Sequence, residues 1–341
     1  MTSAISPLRL SLDGDALIAN WRWLAGQSKG AACGAAIKAN GYGLGAPEIY
    51  RRLSVAGCRD FFVATWAEAA ALPDQSGVSV LHGVRAEDMA CAVRSNARPV
   101  LNTAEQIARW RPTGLPCDVM IDTGMNRLGL SEQSVADGLL TGLNVETLMS
   151  HFACADEDSA MNDRQLASFI ALKGKTKAKR MSIANSAGVL IGGGTALDLT
   201  RPGLALYGGI PRAEAAGHIA QLVYPEAQIL QRRTVPAGQA VGYGATFIAD
   251  RDTEVAILNI GYADGYLRSF SNGGSGGQGR FPVIGRVSMD LLAICADAEP
   301  GLCEGDWIGI DYDLPSASLI SGLTQYELLT GLGNRFDRIW T

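Results

Sequence analysis

The chain has 341 residues, 47% of them hydrophobic and 18% charged, and 29 Lys and Arg against 34 Asp and Glu give a net charge of −5. Such a chain buries a large core without metal or disulfide support, which excludes a disordered protein. The acidic balance and the lack of a basic tract argue against nucleic acid or an anionic membrane surface as a partner, and no apolar run reaches the roughly 18 residues of a membrane span.

Length suggests about two domains. Residues 1–9 lack the apolar core of a signal peptide. The seven cysteines are scattered without a C-x-x-C pair, which points to a reducing cytoplasm rather than a disulfide scaffold or a zinc site. His82, His151 and His218 are too dispersed for a metal centre, so none is expected.

Eight short apolar runs, 33–37, 60–64, 78–81, 98–101, 118–121, 145–150, 180–184 and 198–200, predict strands. Helix-like segments follow several of them, at 46–56, 65–72 and 103–110. Alternation of this kind predicts a parallel sheet, and eight units in under 200 residues fit a (β/α)8 barrel better than a doubly wound sheet. The basic stretch 173–180 reads as a solvated helix face. After about residue 222 the texture becomes mostly β, with strand-like runs at 254–260, 281–284, 291–295 and 307–310. The Gly-, Ser-, Asn- and Gln-rich stretch 272–279 reads as a long hairpin loop. The expected division is 1–222 for the barrel and 223–341 for the β domain, with residues 1 to about 10 free to pair with the latter.

Barrel enzymes place their chemistry at the C-terminal ends of the strands. Lys38 ends strand one, Arg127 follows strand five, His151 strand six, Ser186 strand seven, and Arg201 and Gly203 strand eight. A hydroxyl and a glycine after strands seven and eight suit a phosphate. A lysine just past a buried strand can simply snorkel to solvent. Beside a phosphate site, a desolvated lysine is also a nucleophilic amine for a carbonyl. On this pattern a pyridoxal-phosphate enzyme and a sugar-phosphate aldolase both fit.

The stretch 36–45 (AIKANGYGLG) resembles the cofactor-lysine signature of the alanine racemase family. Further blocks match in the same order: 122–129 (DTGMNRLG), 150–156 (SHFACAD), 185–187 (NSA), 201–208 (RPGLALYG), 241–247 (VGYGATF), 260–266 (IGYADGY) and 285–290 (GRVSMD). The resemblance covers almost the whole chain. It implies a pyridoxal-phosphate-dependent amino-acid racemase of the cytoplasm, with an N-terminal (β/α)8 barrel and a C-terminal mostly-β domain. It also implies a homodimer whose active sites are shared between subunits, acting on alanine and supplying D-alanine for peptidoglycan.

By the same resemblance, Lys38 holds the cofactor covalently and is one catalytic base, and Tyr243 of the partner subunit is the other. Tyr42, His151, Ser186, Arg201, Gly203 and Leu204 bind the cofactor, with Arg201 on the ring nitrogen and with Arg201 and His151 giving the tyrosine a cationic setting. Arg127 and Met289 bind substrate, and Tyr262, Arg286 and Asp290 line the entryway. Two positions depart from the family. Met120 stands where many members have a carbamylated lysine that orients the arginine equivalent to Arg127, leaving Asn126 or a bound anion for that task. Asn334 stands where many have a tyrosine, which opens the question of substrate breadth. A broader racemase acting on serine is the alternative. A decarboxylase of this architecture needs an acidic residue in place of Arg201, and a non-catalytic cofactor carrier would lack the β domain.

Overall fold

The computed structural model describes residues 6–341, so residues 1–5 of the segment expected to lack a signal sequence lie outside the described residues. The chain divides into two compact units: Leu17–Ala220, and the residues up to Ala16 joined with Gln221–Thr341.

In the first unit the eight expected strands form. Strand one occupies Ala32–Cys33, pauses at Gly34 and resumes at Ala35–Ala36. A Cβ at Gly34 would lie 2.7 Å from the Asp60 carbonyl oxygen, so only glycine lets the chain before strand two come this close. Strands two to seven are Phe61–Val63, Val78–Val80, Arg98–Leu101, Pro116–Met120, Asn144–Met149 and Arg180–Ser182, each parallel to its predecessor. Strand eight, Leu199–Thr200, closes the ring. It pairs in parallel with Ala32–Cys33, and beyond it Pro202 accepts from the Ala36 N–H (2.8 Å). On its other side Asp198 N–H donates to Met181 (3.1 Å) and Arg201 N–H to Ala184 (2.8 Å). The barrel, not the doubly wound sheet, is therefore the architecture.

Helix starts follow the sequence cues. Thr65 and Thr103 cap Trp66–Ala70 and Ala104–Trp110 by accepting from the N–H groups of Glu68 and Gln106. The helix expected over 173–180 does not form. Helix Ala160–Ile170 has already ended, Gly174 sits at φ +78, and Arg180 opens strand seven. Arg180 is half-buried, and its guanidinium grips Asp60 with two bonds, 3.0 and 2.7 Å.

That pair belongs to a polar ring near the N-terminal ends of the strands. The fully buried Asp118 accepts from Ser79 Oγ (2.6 Å), Arg98 Nε (2.9 Å) and Thr147 N (3.0 Å). A buried carboxylate persists only when its lone pairs are satisfied in this way. The strand residues beside it are apolar, with Val80, Val100, Val119 and Leu148 fully buried.

The second unit is a sheet in the order Ser275–Gly276, Phe281–Ile284, Leu292–Cys295, Thr253–Leu258, Val223–Val235, Leu8–Leu12, Asp337–Trp340, with Trp307–Gly309 also on Val223–Val235. Leu8, Leu10 and Leu12 are buried while Arg9 and Ser11 alternate outward, the period of a half-buried strand. They pair antiparallel with Val223–Val235 and parallel with Asp337–Trp340. The stretch 272–279 is a pinned hairpin rather than a long loop. It contains Ser275–Gly276, and Asp311 accepts from Ser275 Oγ, Gln278 N and Gly279 N.

Asp118→Ala should cost about 3 kcal/mol, because it strands the Arg98 guanidinium and the Ser79 hydroxyl in the barrel interior. The urea midpoint checks it; an unchanged midpoint contradicts the role of this ring.

Candidate active site

Lys38 opens a turn of unusual handedness. Ala39, Asn40, Gly41, Tyr42 and Gly43 all have φ between +52° and +87°. For the three non-glycine residues the left-handed region costs about 1 kcal/mol or more each, so the surroundings must hold them. Backbone bonds do part of this, from Gly41 N to Ile37 O (2.8 Å) and from Gly43 N to Ala39 O (2.8 Å). Asn40 Oδ1 accepts from Ala46 N at 3.0 Å. Glu68 does the rest, accepting from Ala39 N (2.7 Å) and Ala64 N (2.6 Å). The Lys38 amine stands half-buried at the barrel mouth. Burial lowers its pKa, Arg127's charge lowers it further, and Glu68 acts in the opposite direction.

Arg201 is buried, donating to Ser182 Oγ and to the Ser150 carbonyl. Burial pulls its pKa down to about 10, against the opposing charge of Asp118, so it remains a cation at neutral pH. His151 sits deep in the mouth with part of its surface accessible. Its pKa falls to about 3, first through burial and then through Arg201, Arg127 and Lys38. This corrects one expectation: the imidazole is neutral, and the positive field belongs to the three basic residues.

Ser186, at the start of the helix Ser186–Ile191, accepts from Gly203 N (2.8 Å) and Ala205 N (3.2 Å), which leaves its own proton to donate. The Gly203 N–H, expected to face a phosphate, is thus committed to Ser186. Gly203 serves by its missing side chain: a Cβ would lie 2.2 Å from the Tyr42 hydroxyl. Tyr42 packs on Tyr207 with ring centroids 4.6 Å apart, and Leu204 is buried on the next residue. The structure thus collects Lys38, Tyr42, Arg127, His151, Ser186, Arg201, Gly203 and Leu204 at one mouth.

The remaining candidates lie in the other unit. Tyr243 stands between Gly242 (φ +74) and Gly244 (φ +70) and is 65% exposed. A Cβ at Gly244 would lie 3.3 Å from Arg286 Cζ, so that guanidinium covers the turn beside Tyr243. Tyr262 N and Ala263 N donate to Ser288 O and Met289 O, both at 3.0 Å, fastening the Tyr262 turn to the Met289 loop. Arg335 grips the fully buried Asp264 through Nε (2.6 Å) and Nη2 (2.8 Å), and holds Asp290 with Nη1 (2.7 Å). Arg268 lies 5.7 Å over the Tyr262 ring.

At the departures, Asn126 turns its amide to the Gly124 carbonyl (3.4 Å) and not to Arg127. Among the described residues Arg127 has no ion pair. Met120 closes strand five, and Asn334 is exposed.

Pyridoxal phosphate requires an amine for its aldehyde, donors for an anionic phosphate and a partner for its ring nitrogen. The desolvated Lys38, the free Ser186 proton beside the Gly203 opening, and cationic Arg201 meet these needs, so the residues fit the group. Glu68 escaped the sequence reading. Thr65 and Glu68 have the spacing of a capping box, which could have flagged the carboxylate, but nothing local points to Ala39.

Comparisons with known proteins agree across the chain. The family model described as alanine racemase, N-terminal domain, matches residues 12–211, and that of the C-terminal domain matches 222–340. A catabolic alanine racemase of Agrobacterium fabrum is 40% identical over 96% of this chain and 91% of its own length. An alanine racemase of Acidiphilium cryptum is 39% identical over 97% and 98%. The crystal structure of alanine racemase from Bartonella henselae with covalently bound pyridoxal phosphate superposes with a TM-score of 0.90 at 33% identity, covering 99% of this chain and 100% of that one.

Two outcomes follow from this geometry. Glu68→Ala should lower stability by about 2 kcal/mol through two lost charge-assisted bonds, read as a shift in denaturation midpoint. Because the folded His151 pKa lies far below the ordinary 6.5, the unfolded chain takes up that proton first. Stability therefore falls as pH drops from about 6.5 toward 3, and His151→Asn should flatten that limb of a melting-temperature profile.

Proposed function

The chain belongs to the alanine racemase family, and from that premise we propose that it interconverts L- and D-alanine with pyridoxal phosphate, using Lys38 and Tyr243 as bases on opposite faces of the substrate. The observation that carries this reading is the desolvated Lys38 amine on its left-handed turn, set among Arg127, Arg201 and the Ser186–Gly203 opening.

The bound cofactor supplies an electron sink for the charge left on the substrate α-carbon. Lys38 Nζ would anchor it covalently at rest and, once displaced by the substrate amine, would take or return the α-proton on the D face. Tyr243, from a second copy of the chain, exchanges the proton on the other face. A phenol has a pKa of about 10, so its proton leaves readily only near positive charge, and the field of Arg127, Arg201 and Lys38 supports that role. Arg201 cannot readily give up a proton, so it donates to the ring nitrogen and leaves it unprotonated. This weakens the sink and disfavours side reactions. Arg127 and the Met289 backbone hold the substrate carboxylate. Tyr42, Ser186 and Leu204 hold the phosphate in the space that Gly203 leaves open, and Tyr262, Arg286 and Asp290 form the entryway.

The homodimer with shared sites, the cytoplasmic location and the supply of D-alanine for peptidoglycan belong to the same proposal. Among the described residues no helix is long and apolar enough to cross a membrane. Asn334, where many relatives of this type carry a tyrosine, favours a second reading in which serine is also accepted.

Purified protein should carry the visible absorption of lysine-bound pyridoxal, and Lys38→Ala should lose both the band and activity. Tyr243→Phe should keep the band and lose at least about 10²-fold in kcat. Mixing the two variants should recover part of the activity through hybrid dimers, and no recovery would contradict shared sites. A racemisation assay across L-Ala, L-Ser, L-Lys and L-Arg separates the narrow from the broad reading.

A further inference from the structure

Nothing in the described residues makes a hydrogen bond to the His151 imidazole, so the ring depends on its backbone for its place. That backbone is held from the side by helix Ala160–Ile170. Gln165, on this helix, is 1% exposed. Its Nε2 donates to the His151 carbonyl (3.0 Å) and to Thr123 Oγ1 (3.3 Å), and its Oε1 accepts from Ala153 N (2.9 Å). Thr123 Oγ1 in turn meets Ser150 Oγ at 2.8 Å, and the Ser150 carbonyl accepts from Arg201. One turn earlier Asn162 Nδ2 donates to the carbonyls of Cys154 and Glu157, both at 3.0 Å.

A single buried amide therefore joins two loops of the mouth, the one that begins with His151 and the one that carries Arg127, and through Thr123 it reaches Ser150, whose carbonyl accepts from Arg201. A buried amide with its groups satisfied on two different loops is a costly thing to place where packing alone would do. An apolar residue of the same size would fill the space and leave the loops free to shift. We propose that Gln165 is a positioning residue for the reaction, holding His151 at the depth and orientation that the proton transfer needs, through the Gln165–Thr123–Ser150 chain. This rests on the racemase reading above, with His151 among the residues that line the cofactor mouth.

The charged groups facing the imidazole are Arg201, Arg127 and Lys38, and together with burial they keep it neutral. If Gln165 sets the depth of the ring, its loss lets the loop move outward and the imidazole recover an ordinary histidine titration. Shifts of about 1 Å in a reacting geometry cost up to about 10²-fold in rate.

The test uses the full-length holoenzyme. With only three histidines in the chain, the His151 imidazole can be followed by NMR titration, assigned with His151→Asn, beside racemisation kinetics and thermal melting. Gln165→Met should lower kcat about tenfold or more with KM within about twofold, and should move the His151 midpoint upward from its depressed value. Thr123→Val keeps its volume and cuts the Thr123 links to Gln165 and Ser150 while leaving Gln165 on His151 and Ala153; it should shift both readouts in the same direction by less, and it decides the matter if Gln165→Met does not fold. Wild-type kcat and an unmoved His151 midpoint in both variants would overturn the proposal. Lys38→Ala separates the two levels: retained band and activity there would sink the racemase reading, whereas loss of both with normal Gln165 and Thr123 variants would sink only this inference.

Discussion

The carboxylate of Glu68 holds open a backbone conformation that the chain would not adopt unaided. Five consecutive residues after Lys38 are left-handed, and only Gly41 and Gly43 are free of the steric cost. Two N–H groups on one carboxylate, with Asn40 on Ala46, offset that cost. The return is placement. The turn ends strand one abruptly, stands the lysine amine at the mouth, and carries Tyr42 back to the Gly203 opening. Helix Ala46–Ala56 then begins at once, because Gly45 takes φ +108 and Gly41 lets the first turn come close; a Cβ on Gly41 would lie 2.4 Å from Ile49 Cδ1.

Around this turn the electrostatics are one-sided. Arg127, Arg201 and Lys38 share the mouth, and their combined field together with burial keeps His151 neutral. A site built this way favours anions, such as a phosphate and an amino-acid carboxylate, and favours loss of a phenolic proton. It also depresses the Lys38 pKa, which brings the free amine nearer to neutral pH. Glu68 is the carboxylate that opposes this field at Lys38, while Asp60 and Asp118 are consumed by Arg98 and Arg180 nearer the strand N-termini.

Much of this was legible in the residues. Strand–helix punctuation placed all eight barrel strands, since short β-branched runs end at polar residues and capping threonines open helices. The strand-end rule then found Lys38, His151, Ser186 and Arg201 without further help. Beyond the expected pairing of residues 1 to about 10 with the β domain, the partners in long-range pairing were not legible. Val223–Val235 carries Pro225 and the polar run 231–234, which hides a strand that changes partners at an irregularity between Ile229 and Gln231. Leu8–Leu12 and Asp337–Trp340 join only across the length of the chain. Glu68 and Gln165 read as ordinary helix residues, because their partners lie up to 29 and 42 residues away. The charge run 173–180 misled because a count of lysines does not see the helix end at Ile170 or Asp60 capture Arg180.

The central claim is that Lys38 works on one face of the substrate and Tyr243 on the other. The most direct measurement is hydrogen exchange at the α-carbon in deuterated water with the Tyr243→Phe holoenzyme. The account predicts that D-alanine exchanges its α-hydrogen through Lys38 while its configuration is retained. Racemisation at the wild-type rate by this variant, or exchange of L-alanine in preference to D-alanine, would contradict it.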